Sequence, residues 1–190
     1  MEKWKENSKW CQRRNGLLDA ITLPEEGNLL DLSCSDGQFL EIIHAQKPKL
    51  KLTGIDISEE RIKDAKKKYA WAHFSVDDVR SSRLPYKNFD TIFCNMSFHH
   101  YDNPLKMLSE SKRLLKETGS LYIMDLSPKN RVSQIAYNIR GCNDDYHFEK
   151  YYTVEEFKKL AISTDLTIVK SIVLTALPRL VVLELKYQTI

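Results

Sequence analysis

Apolar positions along the chain alternate between two patterns. Short, nearly continuous apolar runs at Asn28–Leu32, Leu52–Asp56, Ala72–Val76, Phe89–Cys94 and Ser120–Asp125 predict five buried strands. Between them apolar residues recur at helical spacing. Upstream, Trp4, Cys11 and Leu18 fall seven apart, predicting a helix over residues 3–20 within an N-terminal segment 1–22. Phe39, Leu40 and Ile43 mark the helix after the first strand, and Ser58 caps one that runs to Tyr69. A further helix is capped by Asn103, begins at Pro104, turns Leu105, Leu108 and Leu115 inward, and stops before Gly119. Thr153 and Glu156 form a T-x-x-E capping box with Tyr152 and Phe157 as its staple, opening a helix to about Ser163. The last two runs, Leu166–Leu174 and Leu180–Tyr187, meet across Pro178, a link so short that they must pair antiparallel.

Strands alternating with helices imply an α/β architecture, a parallel sheet covered on both faces and closed by that hairpin. With no internal repeat or linker, residues 1–190 are read as one domain. Residues 126–152 break the alternation and are too long for a plain connection. Val132, Ile135, Ala136 and Ile139 predict a short amphipathic helix there, followed by a polar, aromatic and acidic tail over 141–148, together forming a lid or substrate wall.

Hydrophobic residues make up 42% of the chain, enough for a core, so a disordered chain is excluded. The net charge of +3 is carried by the first fourteen residues, and the balanced body argues against a nucleic-acid face. No stretch of about 18 apolar residues predicts a membrane span. The opening lacks the apolar core of a secretion signal, and the four cysteines form no C-x-x-C pair and no metal-ligand cluster, so a reducing cytoplasm and no metal are expected.

In a parallel sheet, ligands bind beyond the carboxyl ends of the strands. There stand Asp31 and the turn Ser33 to Gly37, then Asp56, then Asp77 and Asp78, then Asn95, Ser97, His99 and His100. Asp56 suits a ribose diol, because a carboxylate accepts both hydroxyl protons; an acid that only ends a strand is the alternative. The glycines of a G-x-G-x-x-G dinucleotide loop are absent, as is a G-K-[ST] phosphate loop.

Leu30-Asp31-Leu32-Ser33-Cys34-Ser35-Asp36-Gly37 resembles the L-D-x-G-x-G-x-G motif of class I S-adenosylmethionine-dependent methyltransferases. The resemblance continues through Gly54-Ile55-Asp56-Ile57-Ser58, Leu84-Pro85-Tyr86, Phe89-Asp90, Phe98 to Pro104 and Arg113 to Lys116. This order is similar to the small-molecule branch that includes ubiquinone and menaquinone biosynthesis enzymes. It implies a Rossmann-like seven-stranded sheet of order 3-2-1-4-5-7-6 with the seventh strand antiparallel. It implies that Asp31, Ser33 and Gly37 line the methionine part of the cofactor. Asp56 would hold the ribose, Ile57 pack on adenine, Asp78 and the backbone of Val79 meet the adenine edge, and Asn95 approach the sulfonium. Ser33 and Ser35 stand where the motif has glycine, and positive φ at either would cost on the order of 1 kcal/mol.

The expected activity is therefore methyl transfer from S-adenosylmethionine to a small-molecule acceptor, leaving S-adenosylhomocysteine. A base is needed only where the nucleophile holds its proton tightly. His99, His100 and His147 are the candidates, with Asp102, Asp144 and Tyr146 behind them; core packing for one histidine and a solvated loop for His147 are the alternatives. A non-catalytic binding protein of the same fold is the competing expectation.

Overall fold

The computed structural model describes residues 16–141, 150–176 and 178–188. Helical residues 16–20 (α1) lead into β1 (Gly27–Leu32), α2 (Gln38–Gln46), β2 (Leu50–Asp56), α3 (Glu59–Lys68), β3 (His73–Val76), β4 (Phe89–Asn95), α4 (Pro104–Leu114), β5 (Leu115–Leu126), α5 (Arg131–Gly141), α6 (Val154–Ile162), β6 (Leu166–Ala176) and β7 (Arg179–Tyr187). The strands form one sheet in the order β3-β2-β1-β4-β5-β7-β6. β1 pairs in parallel with β2 and β4, and β5 in parallel with β4, while β7 runs antiparallel to both β5 and β6. This is the Rossmann-like order that the resemblance implies.

Successive residues of a strand face opposite sides, so β4 serves two cores. Ile92 and Cys94 join the cluster under α4 and α6, with Met107, Leu108, Leu114, Phe157 and Ala161. Phe93 joins the cluster under α1, α2 and α3, with Leu17, Phe39, Ile43, Ile62 and Ala65. Local chemistry sets the helix starts. Ser58 Oγ accepts the Arg61 N–H, and Glu59 and Glu60 at the start of α3 against Lys66, Lys67 and Lys68 at its end complement the helix dipole. Asn103 Oδ1 caps α4 through the Lys106 N–H at 3.0 Å. The capping box of α6 forms as the sequence predicts, and the Tyr152 and Phe157 rings lie 5.7 Å apart.

Three expectations are corrected. Gly119 does not close α4: the helix ends at Leu114, and β5 begins at Leu115 with a register break opposite Phe89 and Thr91. A Cβ at Gly119 would lie 2.9 Å from the Asp90 carbonyl, so this glycine permits a close backbone approach instead. Leu105 faces outward at 42% exposure, and Met107, Ser111 and Leu114 share the inner face with Leu108. α5 forms, but turned the other way. Val132 and Ile135 are 79% and 61% exposed, and the helix docks through polar groups. Gln134 donates to the Tyr151 carbonyl and to Glu156, Asn138 accepts the Tyr151 N–H, and the Tyr137 hydroxyl accepts the Arg179 N–H. Trp4, Cys11, Asp144, Tyr146 and His147 lie outside the described residues.

Candidate functional site

β1 delivers Asp31, 2% exposed, to its carboxyl end, and the chain then turns through Ser33 and Ser35 at φ 58° and 53° before Gly37 at φ 82° starts α2. The two serines thus take the left-handed backbone that glycine adopts without strain. At Gly37 no side chain fits, because a Cβ would stand 2.9 Å from the Phe74 ring. The turn is tied to β2 twice: the Cys34 N–H donates to the Ile55 carbonyl at 2.9 Å, and the Ser35 N–H donates to Asp56 Oδ2 at 2.9 Å. Asp56 Oδ1 accepts the Ser58 N–H at 2.9 Å. Each oxygen of this half-buried carboxylate thus holds one backbone donor and keeps acceptor capacity for a ligand. Ile57, next to it, is 73% exposed.

The serine hydroxyls found their own partners. Ser33 Oγ lies 2.6 Å from the Tyr101 hydroxyl, and the Arg61 guanidinium donates to Ser35 Oγ at 2.9 Å. Burial pushes the Tyr101 phenol well above its ordinary pKa, so it stays protonated. Asp36 is occupied by Lys68 and Gln38; burial pushes its carboxyl up, and the Lys68 ammonium and the other donors outweigh this and hold it below the usual range.

On the other side of β1, Asn95 ends β4. Its Oδ1 is buried and, among the described residues, has no hydrogen-bond partner. Met96 follows at φ 53°, the third left-handed non-glycine residue of this region. An unpaired buried carbonyl and a strained chain reversal side by side are common where a ligand completes the structure. Beyond β3, Asp77 Oδ1 accepts the Asp78 N–H and Oδ2 the Arg83 N–H. Asp78 caps the 3-10 turn over Val79–Ser81, with Val79 buried. Its carboxylate is gripped by Arg80, which also reaches Asp102, and the guanidinium is the main reason its pKa is lowered. Asp78 is therefore already engaged by a cation.

The two neighbouring histidines separate. His100 is exposed, and His99 is 6% exposed with Nδ1 at 2.8 and 2.9 Å from the two oxygens of Asp125, itself 1% exposed at the end of β5. Sequence reasoning missed Asp125, Tyr101 and Arg61 as site residues. Asp125 was within reach, because it ends the fifth strand as Asp56 ends the second. The Tyr101 and Arg61 contacts span 68 and 26 positions and leave no trace in local spacing. A groove of about 480 Å³ against α3, lined by Glu59, Ile62, Lys63, Lys66, Lys67 and Val76, contains none of these groups. No group of three or more metal-ligating side chains is found among the described residues.

Residues 3–171 match the family model of a methyltransferase domain. A demethylmenaquinone methyltransferase of Thermotoga maritima is 29% identical over 124 residues, 65% of this chain and 53% of that protein. A tRNA U34 carboxymethyltransferase of Campylobacter curvus is 30% identical over 122 residues, 57% of this chain and 41% of that protein. The chain thus spans about half the length of the curated relatives it matches. The fold is shared with a crystal structure of a SAM-dependent methyltransferase from Aquifex aeolicus, with a TM-score of 0.72, 21% identity, and coverage of 90% of this chain and 88% of that one.

Proposed function

The chain belongs to the methyltransferase domain family, and from that premise we propose that it transfers a methyl group from S-adenosylmethionine to a small-molecule acceptor. The observation that carries this reading is Asp56. Its two oxygens are fixed by the Ser35 and Ser58 N–H groups, and their remaining lone pairs suit a ribose diol. The other residues fit the same ligand. The exposed Ile57 side chain offers an apolar face to adenine, and the unpaired Asn95 Oδ1 offers an acceptor to a positively charged or N–H-bearing group near the methionine end. Asp31, Ser33 and Gly37 would line that end. Val79 and Asp78 would stand at the adenine edge, Asp78 with Arg80 already on its carboxylate.

When bound, the cofactor supplies a methyl group on a positively charged sulfur, already activated for displacement. The protein's part is to hold the turn and the acceptor so that the nucleophile meets that methyl in line, and to exclude water. A small acceptor is supported by the balanced charge of residues 15–190 and by the quinone-type relative; the tRNA-modifying relative makes RNA the competing acceptor. Buried free thiols at Cys34 and Cys94 support a reducing compartment. Residues 1–190 would act as one domain, with 126–152 covering the acceptor.

Calorimetric titration with S-adenosylmethionine, S-adenosylhomocysteine and NADH tests the reading. Both sulfur ligands are expected to bind and NADH not. Asp56→Ala should weaken binding about ten- to a hundredfold, the effect of losing hydrogen bonds to a charged group, with the circular dichroism spectrum retained. Binding that survives Asp56→Ala would place the ribose elsewhere. A folded protein that binds neither sulfur ligand would favour the non-catalytic reading, with Ser33 and Ser35 closing the turn.

A further inference from the structure

We propose that Tyr101 is a positioning residue for the cofactor: acting through Ser33, it holds the turn after β1 in the left-handed shape that receives the methionine end. This rests on the methyltransferase reading of the site. The sheet order reverses between β1 and β4, and the chain leaves β1 toward α2 on one face and β4 toward α4 on the other. The two loops therefore part, and a ligand seats in the crevice between them. Each loop carries a non-glycine residue of positive φ near its start, Ser33 at 58° and Met96 at 53°. The Ser33–Tyr101 hydrogen bond joins the first loop to the second across that crevice.

Tyr101 is itself firmly held. Its ring packs against the core under α4, edge-on to the fully buried Phe98 at 6.4 Å. Its N–H donates to the Phe98 carbonyl at 3.2 Å, next to the 3-10 turn over Phe98–His100. The following residue, Asp102, accepts from Arg80 at 2.9 Å. The phenol also hydrogen-bonds with Ser97, whose hydroxyl lies 3.2 Å from the Cys94 thiol near the end of β4. The hydroxyl that meets Ser33 is thus fixed from the opposite core and not from the turn it supports.

A glycine at position 33 adopts positive φ without strain and needs no such tie. A serine left alone there spends part of its time in ordinary backbone, and a ligand then binds only the fraction that is left-handed. Affinity falls by that fraction. A hydrogen bond that exists only in the left-handed form restores the population. Tyr101 therefore matters to the cofactor because position 33 carries a side chain. Its loss slows association, since fewer molecules are competent, and leaves dissociation alone, since the bound complex is the same.

Calorimetry and surface plasmon resonance with S-adenosylhomocysteine, on variants that keep the circular dichroism spectrum, test this. Tyr101→Phe, which keeps the ring, should weaken binding about five- to tenfold, the effect of one hydrogen bond, with the loss in the association rate. Ser33→Ala, which keeps the strain and removes the hydroxyl, should lose about as much, and Tyr101→Phe added to it should cost nothing further. In a Ser33→Gly background Tyr101→Phe should change affinity less than about twofold. The proposal is overturned if Tyr101→Phe binds as the wild type does. It is overturned equally if the loss is the same in the serine and glycine backgrounds, as packing alone would give, or lies in dissociation, as direct contact with the ligand would give. Ser33→Ala keeps the test independent of how Tyr101→Phe folds, because unchanged affinity there also overturns it. A wild type that binds neither S-adenosylmethionine nor S-adenosylhomocysteine instead overturns the methyltransferase reading, and this inference with it.

Discussion

A serine forced into left-handed backbone costs about 1–2 kcal/mol relative to glycine, and this turn contains two. They differ in what offsets the strain. Ser33 has a 2.6 Å bond to a protonated, buried phenol, worth about 1 kcal/mol, whereas the hydroxyl of Ser35 meets an exposed arginine. Ser35→Gly should therefore raise stability by up to about 1 kcal/mol after the entropy that glycine returns to the unfolded chain, and Ser33→Gly should leave it nearly unchanged. Urea unfolding of the two variants checks this; equal gains would mean that the Tyr101 bond contributes nothing. At this scale the sequence shows which residues stand at strand ends, since Asp56 follows from an apolar run ending in an acid. It does not show the sign of φ at residues 33, 35 and 96. Nor does it show which partner 26 positions away, as for His99 and Asp125, a side chain will choose.

Elements were legible where their causes are local. The box at Thr153 and Glu156 needs only four residues, and both of its bonds form, at 3.3 Å to the Glu156 N–H and 2.8 Å from the Thr153 N–H. The orientation of α5 was not legible, because its apolar stripe suggested the wrong side. Gln134, Tyr137 and Asn138 dock it through bonds whose acceptors and donors lie up to 42 positions away. Glu156 joins the two cases, since it caps α6 and accepts from Gln134 of α5. Burial alone would raise its pKa, but the Thr153 and Gln134 donors outweigh this and the net shift is downward. A carboxylate with a lowered folded pKa contributes its full stabilisation above the ordinary glutamate value of about 4.3 and loses it as pH falls through the folded value. Thr153→Ala should cost about 1 kcal/mol at neutral pH. Glu156→Gln should be less stable than wild type at pH 7, and the difference should shrink as pH falls below about 4.3. Thermal melts from pH 7 to pH 3 read both, and a gap that widens in acid would remove Glu156 from the account.

The whole molecule depends on a sheet that neither core can keep alone. The alternating strands were enough to infer a covered parallel sheet, and the short link at Pro178 enough to reverse β7. The order in which seven strands lie came from the resemblance, because crossover choices leave no periodic signal. Once built, β4 turns Ile92 into one cluster and Phe93 into the other, both fully buried. Phe93 meets Phe39 edge-on at 5.1 Å and stacks on Tyr122 at 5.4 Å. Phe93→Ala should cost about 3–5 kcal/mol and Ile92→Ala about 2–5 kcal/mol. If the two faces were separate folding units, each substitution would loosen only its own helices. Because both act through the same strand, hydrogen exchange of the slowest amides in β1, β4 and β5 should accelerate together, by a similar factor in α2 and α4, whichever face is cut. Acceleration confined to α2 in Phe93→Ala would show instead that the face carrying the cofactor turn unfolds by itself, and the loop holding His99 would then be anchored independently of it.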